Sequence, residues 1–109
     1  MTWIPLTDEK QLNDLIVNSN TVPQVIFKHS TRCSISSMAK NRLDREDAPD
    51  RINFYFLDLI KYRSLSNKIA HKFGISHQSP QVLVIQNGEC VYNESHSGID
   101  FEEIEAVVS

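Results

Sequence analysis

The stretch KHSTRCSIS, residues 28–36, contains the residue best suited to nucleophilic chemistry, Cys33. It lies between a predicted strand and a predicted helix, where free backbone N–H groups and the positive end of the helix dipole favour a thiolate over a thiol. The neighbouring Arg32 adds a positive charge. Because the thiolate is the reactive form of cysteine, we predict a reactive Cys33 in preference to a small buried hydrophobic residue.

Three residues after this cysteine, Ser36 takes the position that a second cysteine occupies in a dithiol redox site. A lone thiolate can form a mixed disulfide but needs an external thiol to release it. Ser36 either donates a hydrogen bond to the sulfur or is an ordinary polar residue of the first helical turn. His29, at the end of the preceding strand, either raises the thiolate fraction or packs inward as a structural residue.

The second cysteine, Cys90, follows a predicted Asn87-Gly88 turn and is expected to be an ordinary strand residue. A disulfide needs Cα atoms within about 7 Å, whereas five or six residues of strand, at about 3.3 Å each, separate this turn from the other end of the sheet. We therefore expect no Cys33–Cys90 bridge. Two cysteines without a signal peptide are both expected to stay reduced.

The elements that position these residues follow from apolar spacing. Helices are predicted after Thr7, from Ser34 onward, over 65–73 with Gly74 at the end, and behind Asp100, where Glu103 would complete a capping box. In the second helix, four residues are assigned to one shared face: Ile35, Met38, Ala39 and Leu43. Strands are predicted at 24–30, at 52–60 and on both sides of the Asn-Gly turn, after a short apolar stretch at Trp3-Ile4.

This order, β-α-β-α-β-α-β-β-α, predicts an α/β fold with a mixed sheet of about five strands and helices on both faces. The 109 residues are 40% hydrophobic and 23% charged, so we expect one domain over 1–109. A net charge of −3 without a basic run argues against nucleic-acid or membrane partners. With no segment long and apolar enough to span a membrane, we expect a soluble, cytoplasmic monomer.

Two separated motifs, FKHSTRCSIS and FGISHQSPQVLVIQNGECVYNESHSGI, resemble the bacilliredoxin-like monothiol family of the thioredoxin superfamily, bacterial proteins that typically carry KHS-T-x-CPIS and ESPQ. The resemblance implies a thioredoxin-like fold and thiol–disulfide exchange. It further implies removal of a low-molecular-weight thiol, such as bacillithiol, from oxidised client proteins. That thiol would be a co-substrate, and no bound cofactor is expected.

Carried over residue by residue, the resemblance makes Cys33 the nucleophile, places Ser36 at the resolving position and makes Pro80 a cis-proline facing the sulfur. From the residues alone, the Ser79-Pro80 pair is either an ordinary strand start or a cis peptide that offers a backbone edge to an incoming chain. Two positions depart from known patterns. Ser34 replaces the family's proline, and Phe27 replaces the buried aspartate of dithiol thioredoxins.

Within such a fold, the loop from Ser95 to Asp100 should return to the edge that carries the reactive cysteine. His96 would then contact the small thiol, as a substrate-binding residue with Ser79 and Pro80, or tune the charge of the sulfur, or be an exposed loop residue. Lys28 and Arg32 are candidates to attract a carboxylate-bearing thiol. The alternative is a solvated strand end, which we favour for Lys28.

Metal binding is not expected, because His71, His77 and the cysteines lack the close pairs of a zinc site. Two rival functions stay open. An iron-sulfur cluster carrier like the monothiol glutaredoxins would turn brown on reconstitution, although their Gly-Phe pair is missing here. A binding module without turnover would keep client binding after Cys33→Ser.

Overall fold

The computed structural model describes residues 1–108 and contains one five-stranded mixed sheet. The strands lie in the spatial order β1-β3-β2-β4-β5. The first three are parallel, and β4 and β5 are antiparallel to their neighbours. Their bounds are β1 Ile4–Pro5, β2 Gln24–His29, β3 Asn53–Asp58, β4 Gln81–Gln86 and β5 Glu89–Ser95.

Within residues 1–108, the chain forms four α-helices in the predicted order: α1 Glu9–Asn18, α2 Ser34–Asp44, α3 Arg63–Phe73 and α4 Phe101–Val108. The first three connect successive strands, and α4 follows β5. Helix α1 begins where the carboxylate of Asp8 accepts the N–H of Gln11 at 2.8 Å. Helix α3 ends at Gly74, whose φ of 65° is in the left-handed region that glycine adopts at low cost. A single 3₁₀ turn, His96–Gly98, precedes α4.

The sheet separates two apolar clusters, because alternate strand residues point to opposite faces. On one face, α2 and α4 cover a cluster that includes Val25, Phe27 and Val84. On the other face, α1 and α3 cover a cluster that includes Ile26 and Leu83. Helices on both faces explain why the central strands are apolar in both alternating sets of positions.

Strand register brings distant parts of the chain to one edge of the sheet. In β2, His29 pairs with Asp58 of β3, and Lys28 pairs with Gln81 of β4. Gln81 in turn pairs with Ser95 of β5. The segment after β2, the segment before β4 and the segment after β5 therefore meet at this edge, which we call the Cys33 edge.

The hairpin turn lies at the opposite edge. Asn87 and Gly88 have φ values of 54° and 76°, as a two-residue turn with both central residues in the left-handed region requires. The predicted turn is therefore confirmed. No helix within residues 1–108 is long and apolar enough to cross a membrane.

Two predictions about the helices are wrong. Ile35 and Met38 do not share the buried face of α2, because their side chains are 51% and 61% exposed. The buried face consists of Ser36, Ala39 and Leu43, whose small first members let the helix pack closely on the sheet.

The second error concerns the capping box at α4. The Asp100 carboxylate accepts the N–H of Glu102 at 2.9 Å. Glu103 does not complete the box. Its carboxylate accepts a hydrogen bond from the hydroxyl of Tyr92 at 2.7 Å, so it ties α4 to β5.

Candidate active site

Cys33 is the N-cap residue of α2, at the Cys33 edge. Its extended backbone, with φ −109° and ψ 120°, lets the helix begin at Ser34. The Cys33 N–H donates to the carbonyl of Ser30 at 3.1 Å, and its own carbonyl accepts the N–H of Ser37 at 3.0 Å. The thiol is half-buried and makes no capping hydrogen bond. The cysteine therefore lies at the start of a helix and is partly exposed to solvent.

Ser36 lies one helical turn further on and is fully buried. Its hydroxyl oxygen accepts the backbone N–H of Ser30 at 3.0 Å and lies 2.6 Å from Nδ1 of His29. His29 is the last residue of β2, and Ser30 begins the segment that leads to α2. Ser36, a polar residue of the first helical turn as predicted, is thus buried and links α2 to the end of β2 through hydrogen bonds.

His29 points inward, as one of its two predicted roles requires. The ring packs 5.8 Å from the ring of Phe27 and 5.4 Å from the ring of Phe56, centroid to centroid. Burial lowers the pKa of His29 below its ordinary 6.5, and the nearby Lys40 ammonium lowers it further. The imidazole is therefore neutral at neutral pH.

Lys40 is a neighbour of the site that the sequence analysis did not identify. Its ammonium lies 5.6 Å from the centre of the Phe56 ring and pairs with the Asp44 carboxylate at 2.8 Å. The spacing of Lys40 and Asp44, four residues apart on a helix, predicts the ion pair. It does not predict that the lysine packs beside His29.

Phe27, which replaces the aspartate of dithiol thioredoxins, belongs to an aromatic layer beneath α2. The Trp3 indole stacks on its ring at a centroid distance of 5.6 Å, and Phe54 and Phe56 contact the same indole edge-on. The indole N–H donates to Asp44 at 2.6 Å. The region that holds a proton-carrying carboxyl in a dithiol protein is therefore filled with apolar rings.

The segment before β4 completes the Cys33 edge. The Ser79-Pro80 peptide bond is cis, and Pro80 is buried. The carbonyl of Pro80 accepts the N–H of His96 at 3.0 Å, which holds the loop after β5 beside it. His96 is exposed and has a φ of 55°. The buried hydroxyl of Ser79 makes no hydrogen bond within the described chain.

Arg32 and Ser34, on either side of the cysteine, both have exposed side chains. Ile35 and Met38 are also exposed and lie on the first turns of the helix that Cys33 begins. The exposed surface at the start of α2 therefore includes one cation and two large apolar side chains.

Lys28 is not the solvated strand end that the sequence analysis favours. It is fully buried on the face covered by α1 and α3, and its ammonium donates to the carbonyl of Ser66 at 3.2 Å. Burial lowers its pKa from 10.5 to about 8. His77, 3.4 Å from the Ser66 hydroxyl through Nδ1, has a pKa lowered by burial and then by Lys28.

Cys90 lies at the hairpin end of β5, where it pairs with Ile85, which in turn pairs with Gln24 at the start of β2. Five residues of β2 then lead to His29, a distance of about 16 Å. Burial raises the pKa of the Cys90 thiol, whose sulfur donates to the carbonyl of Tyr92 at 3.3 Å. Both cysteines are free.

No group of three His, Cys, Asp or Glu side chains within residues 1–108 is arranged to hold a metal ion. His71 is exposed on α3, and His77 faces Ser66 and Lys28. The structure thus brings Cys33, Ser36 and His29 together, with Ser79, Pro80 and His96 at the same edge of the sheet.

Comparison with solved structures identifies the fold. A protein described as a candidate oxidoreductase with a thioredoxin fold is 29% identical, with a TM-score of 0.84 over 97% of this chain and 93% of that one. Malassezia sympodialis thioredoxin is 14% identical, with a TM-score of 0.73 over 98% and 88% of the two chains. Fasciola hepatica thioredoxin has the same identity and TM-score over 95% of both chains.

At 14% identity, the two thioredoxins show the fold alone. The predicted thioredoxin-like fold is therefore confirmed by structure. A family model described as monothiol bacilliredoxin BrxC matches residues 4–104. Together with the thioredoxin fold, this match supports a thiol oxidoreductase role, and the chain belongs to the monothiol bacilliredoxin family.

Proposed function

We propose that the protein removes a low-molecular-weight thiol, of the bacillithiol type, from mixed disulfides on oxidised client proteins. The observation that carries this proposal is a half-buried Cys33 at a helix start with a serine, not a thiol, one turn away. Cys90, at the other edge of the sheet, lies far beyond the distance that a disulfide spans. One thiol must therefore do the exchange.

The first step transfers the small thiol. The Cys33 thiolate attacks the sulfur of the small thiol in the client's mixed disulfide. The old S–S bond breaks, the client cysteine leaves as a thiolate and takes up a proton, and a new S–S bond joins Cys33 to the small thiol. The number of disulfides is unchanged.

The second step needs a thiol from outside the protein. An external low-molecular-weight thiolate attacks the small thiol bound to Cys33, which frees the cysteine and leaves a disulfide of two small molecules. Ser36 cannot perform this step, because a hydroxyl forms no disulfide. The protein should therefore accumulate as the mixed disulfide when external thiol is scarce.

Substrate contacts are proposed for the residues around the sulfur. Ser79 and Pro80 present the backbone edge at the start of β4, and the exposed His96 lies beside Pro80 through the 3.0 Å hydrogen bond. Arg32 offers a cation to a carboxylate on the small thiol. The exposed Ile35 and Met38 offer apolar contact to a client segment.

Mass spectrometry of the protein after incubation with oxidised bacillithiol, and separately with oxidised glutathione, tests the proposal. We expect one adduct, on Cys33, which persists in Cys90→Ser and is lost in Cys33→Ser. A model client protein carrying the mixed disulfide should lose its small thiol at the rate at which Cys33 gains it. Absence of the adduct on Cys33, or a Cys33–Cys90 bridge, would overturn the proposal.

A further inference from the structure

The segment between α3 and β4 ends at the cis peptide bond before Pro80, and polar side chains hold this segment in place. We call residues 75–80 the Pro80 loop. Gln81, the first residue of β4, donates a hydrogen bond from Nε2 of its side chain to the carbonyl of Ser76 at 3.0 Å. This hydrogen bond joins the start of the loop to the residue that follows its end.

A second contact holds the next residue of the loop. Nδ1 of His77 lies 3.4 Å from the hydroxyl of Ser66, which is fully buried in α3. The carbonyl of Ser66 accepts the ammonium of Lys28, and Lys28 pairs with Gln81 across β2 and β4. Because paired residues of neighbouring strands point to the same face of a sheet, both side chains lie on the face covered by α1 and α3. The loop is therefore attached to that face at Ser76 and His77.

Packing alone does not explain a glutamine at position 81. The side chain of Gln81 is 1% exposed, and its oxygen Oε1 makes no hydrogen bond within residues 1–108. A buried acceptor without a partner lowers stability, which an apolar side chain of the same length would not do. Arrangements that lower stability are expected at functional sites. The amide group of Gln81 is therefore better explained by the placement of Pro80 than by the packing of the core.

We propose that Gln81 is a positioning residue, whose side-chain N–H holds the Pro80 loop so that the backbone of Ser79 and Pro80 faces an incoming client segment. The inference rests on the proposed function, which assigns substrate contact to these two residues. Gln81 itself contacts neither the client nor the reacting sulfur atoms. A client binds only while the loop is closed, so its apparent affinity falls with the fraction of molecules in which the loop is closed.

The backbone amide of His96 reports the position of Pro80. Its N–H donates to the Pro80 carbonyl at 3.0 Å, so its hydrogen exchange becomes faster when the loop moves away. Gln81→Met removes the side-chain donor and keeps a chain of similar length. A surface loop opens at small cost, and loss of a neutral hydrogen bond changes an equilibrium about fivefold. We therefore expect about fivefold faster exchange at His96, whereas the amide of Ile26 in the central strand β2 should exchange no faster.

Steady-state kinetics tests the consequence for client binding. In Gln81→Met, KM for a client protein that carries the mixed disulfide should rise several-fold. The kcat value and the rate of Cys33 alkylation by iodoacetamide should stay unchanged, because the sulfur keeps its surroundings in α2. All proteins carry Cys90→Ser, so that only one thiol reacts. Gln86→Met makes the same exchange at the other end of β4 and should change neither KM nor the exchange at His96.

Unchanged exchange at His96, or an unchanged KM for the client, would overturn the inference. Equally faster exchange at Ile26 would also overturn it, because it would show a general loss of stability. Gln81→Leu repeats the test with a second apolar side chain, in case Gln81→Met does not fold. The inference and the proposed function fail separately. A wild type without any small-thiol adduct on Cys33 refutes the proposed function, whereas a normal adduct with an unchanged Gln81→Met refutes the inference alone.

Discussion

The ammonium of Lys28 lies 3.2 Å from the backbone carbonyl oxygen of Ser66, and no carboxylate partner accompanies this fully buried cation among the described ion pairs. The desolvation of the charge lowers its pKa to about 8. Relative to the ordinary 10.5, this corresponds to a cost of about 3 kcal/mol while the amine is protonated in both states. Burial, and then the charge of Lys28, lowers the pKa of the neighbouring His77.

Lys28→Met should therefore stabilise the protein at pH 7, by on the order of 1–3 kcal/mol, because it replaces a buried charge with an apolar chain of similar length. Between pH 8 and 10.5 the unfolded lysine binds a proton that the folded lysine has lost. The wild type thus gains stability as pH rises, and the advantage of the variant should shrink. Urea unfolding at pH 7, 9 and 10 measures the difference. A variant less stable than the wild type at pH 7 would contradict this account.

Ser36→Cys should convert the site to a dithiol. Position 36 is buried and lies one helical turn from Cys33, so a second thiol there can attack the mixed disulfide and release the small thiol. After exposure to oxidised bacillithiol, intact-mass measurement should show a protein two mass units lighter in place of the adduct. Persistence of the full adduct in Ser36→Cys would show that position 36 does not reach the sulfur.

Ile35 and Met38 should matter for client exchange but not for folding. Both side chains are more than half exposed on the first turns of the helix that Cys33 begins, so Ile35→Asp and Met38→Gln should change the free energy of unfolding by less than about 0.5 kcal/mol. We expect several-fold slower removal of the small thiol from a client protein, with an unchanged rate toward free oxidised glutathione. Val17→Asp, at a 67% exposed site on α1, is the matched control. Equal slowing toward both substrates would contradict a client-contact role.

His29 should make the protein less stable in mild acid. Burial holds the pKa of His29 below its ordinary 6.5, so as pH falls below about 6.5 the unfolded state binds a proton that the folded state does not. The free energy of unfolding should therefore decrease from pH 7 to pH 5, and less steeply in His29→Phe. Urea titrations of both proteins over this range test the sign. Parallel curves would show that His29 does not contribute.

The order of elements could be predicted because each strand and helix has its own local signal. Asn87-Gly88 forms the hairpin turn, and Gly74 ends α3 because glycine adopts the left-handed backbone conformation at low cost. The position of Cys33 at the start of α2 is predictable for the same reason, because the polar residues around it separate the apolar strand β2 from the helical apolar spacing of α2.

The errors arise where tertiary packing overrides local pattern. A lysine near a strand end is usually exposed to solvent. Lys28 is buried instead, and its ammonium donates to the backbone carbonyl of Ser66 in α3. Apolar spacing put Ile35 and Met38 on the inner face of α2. The small residues Ser36 and Ala39 took that face because α2 packs closely on the sheet. The pairing of His29 with Ser36 crosses from strand to helix and depends on a turn that no spacing rule describes.

The Cys33 edge forms from segments that are far apart in the sequence, which affects when it forms during folding. One of its three segments follows β2. The other two precede β4 and follow β5, some fifty or more residues later in the sequence. The edge is complete only when β4 has paired with both β2 and β5. Such non-local pairing is the slow part of forming a mixed sheet. A nascent or partly folded chain therefore carries Cys33 without the segments before β4 and after β5 that lie at the same edge in the folded protein.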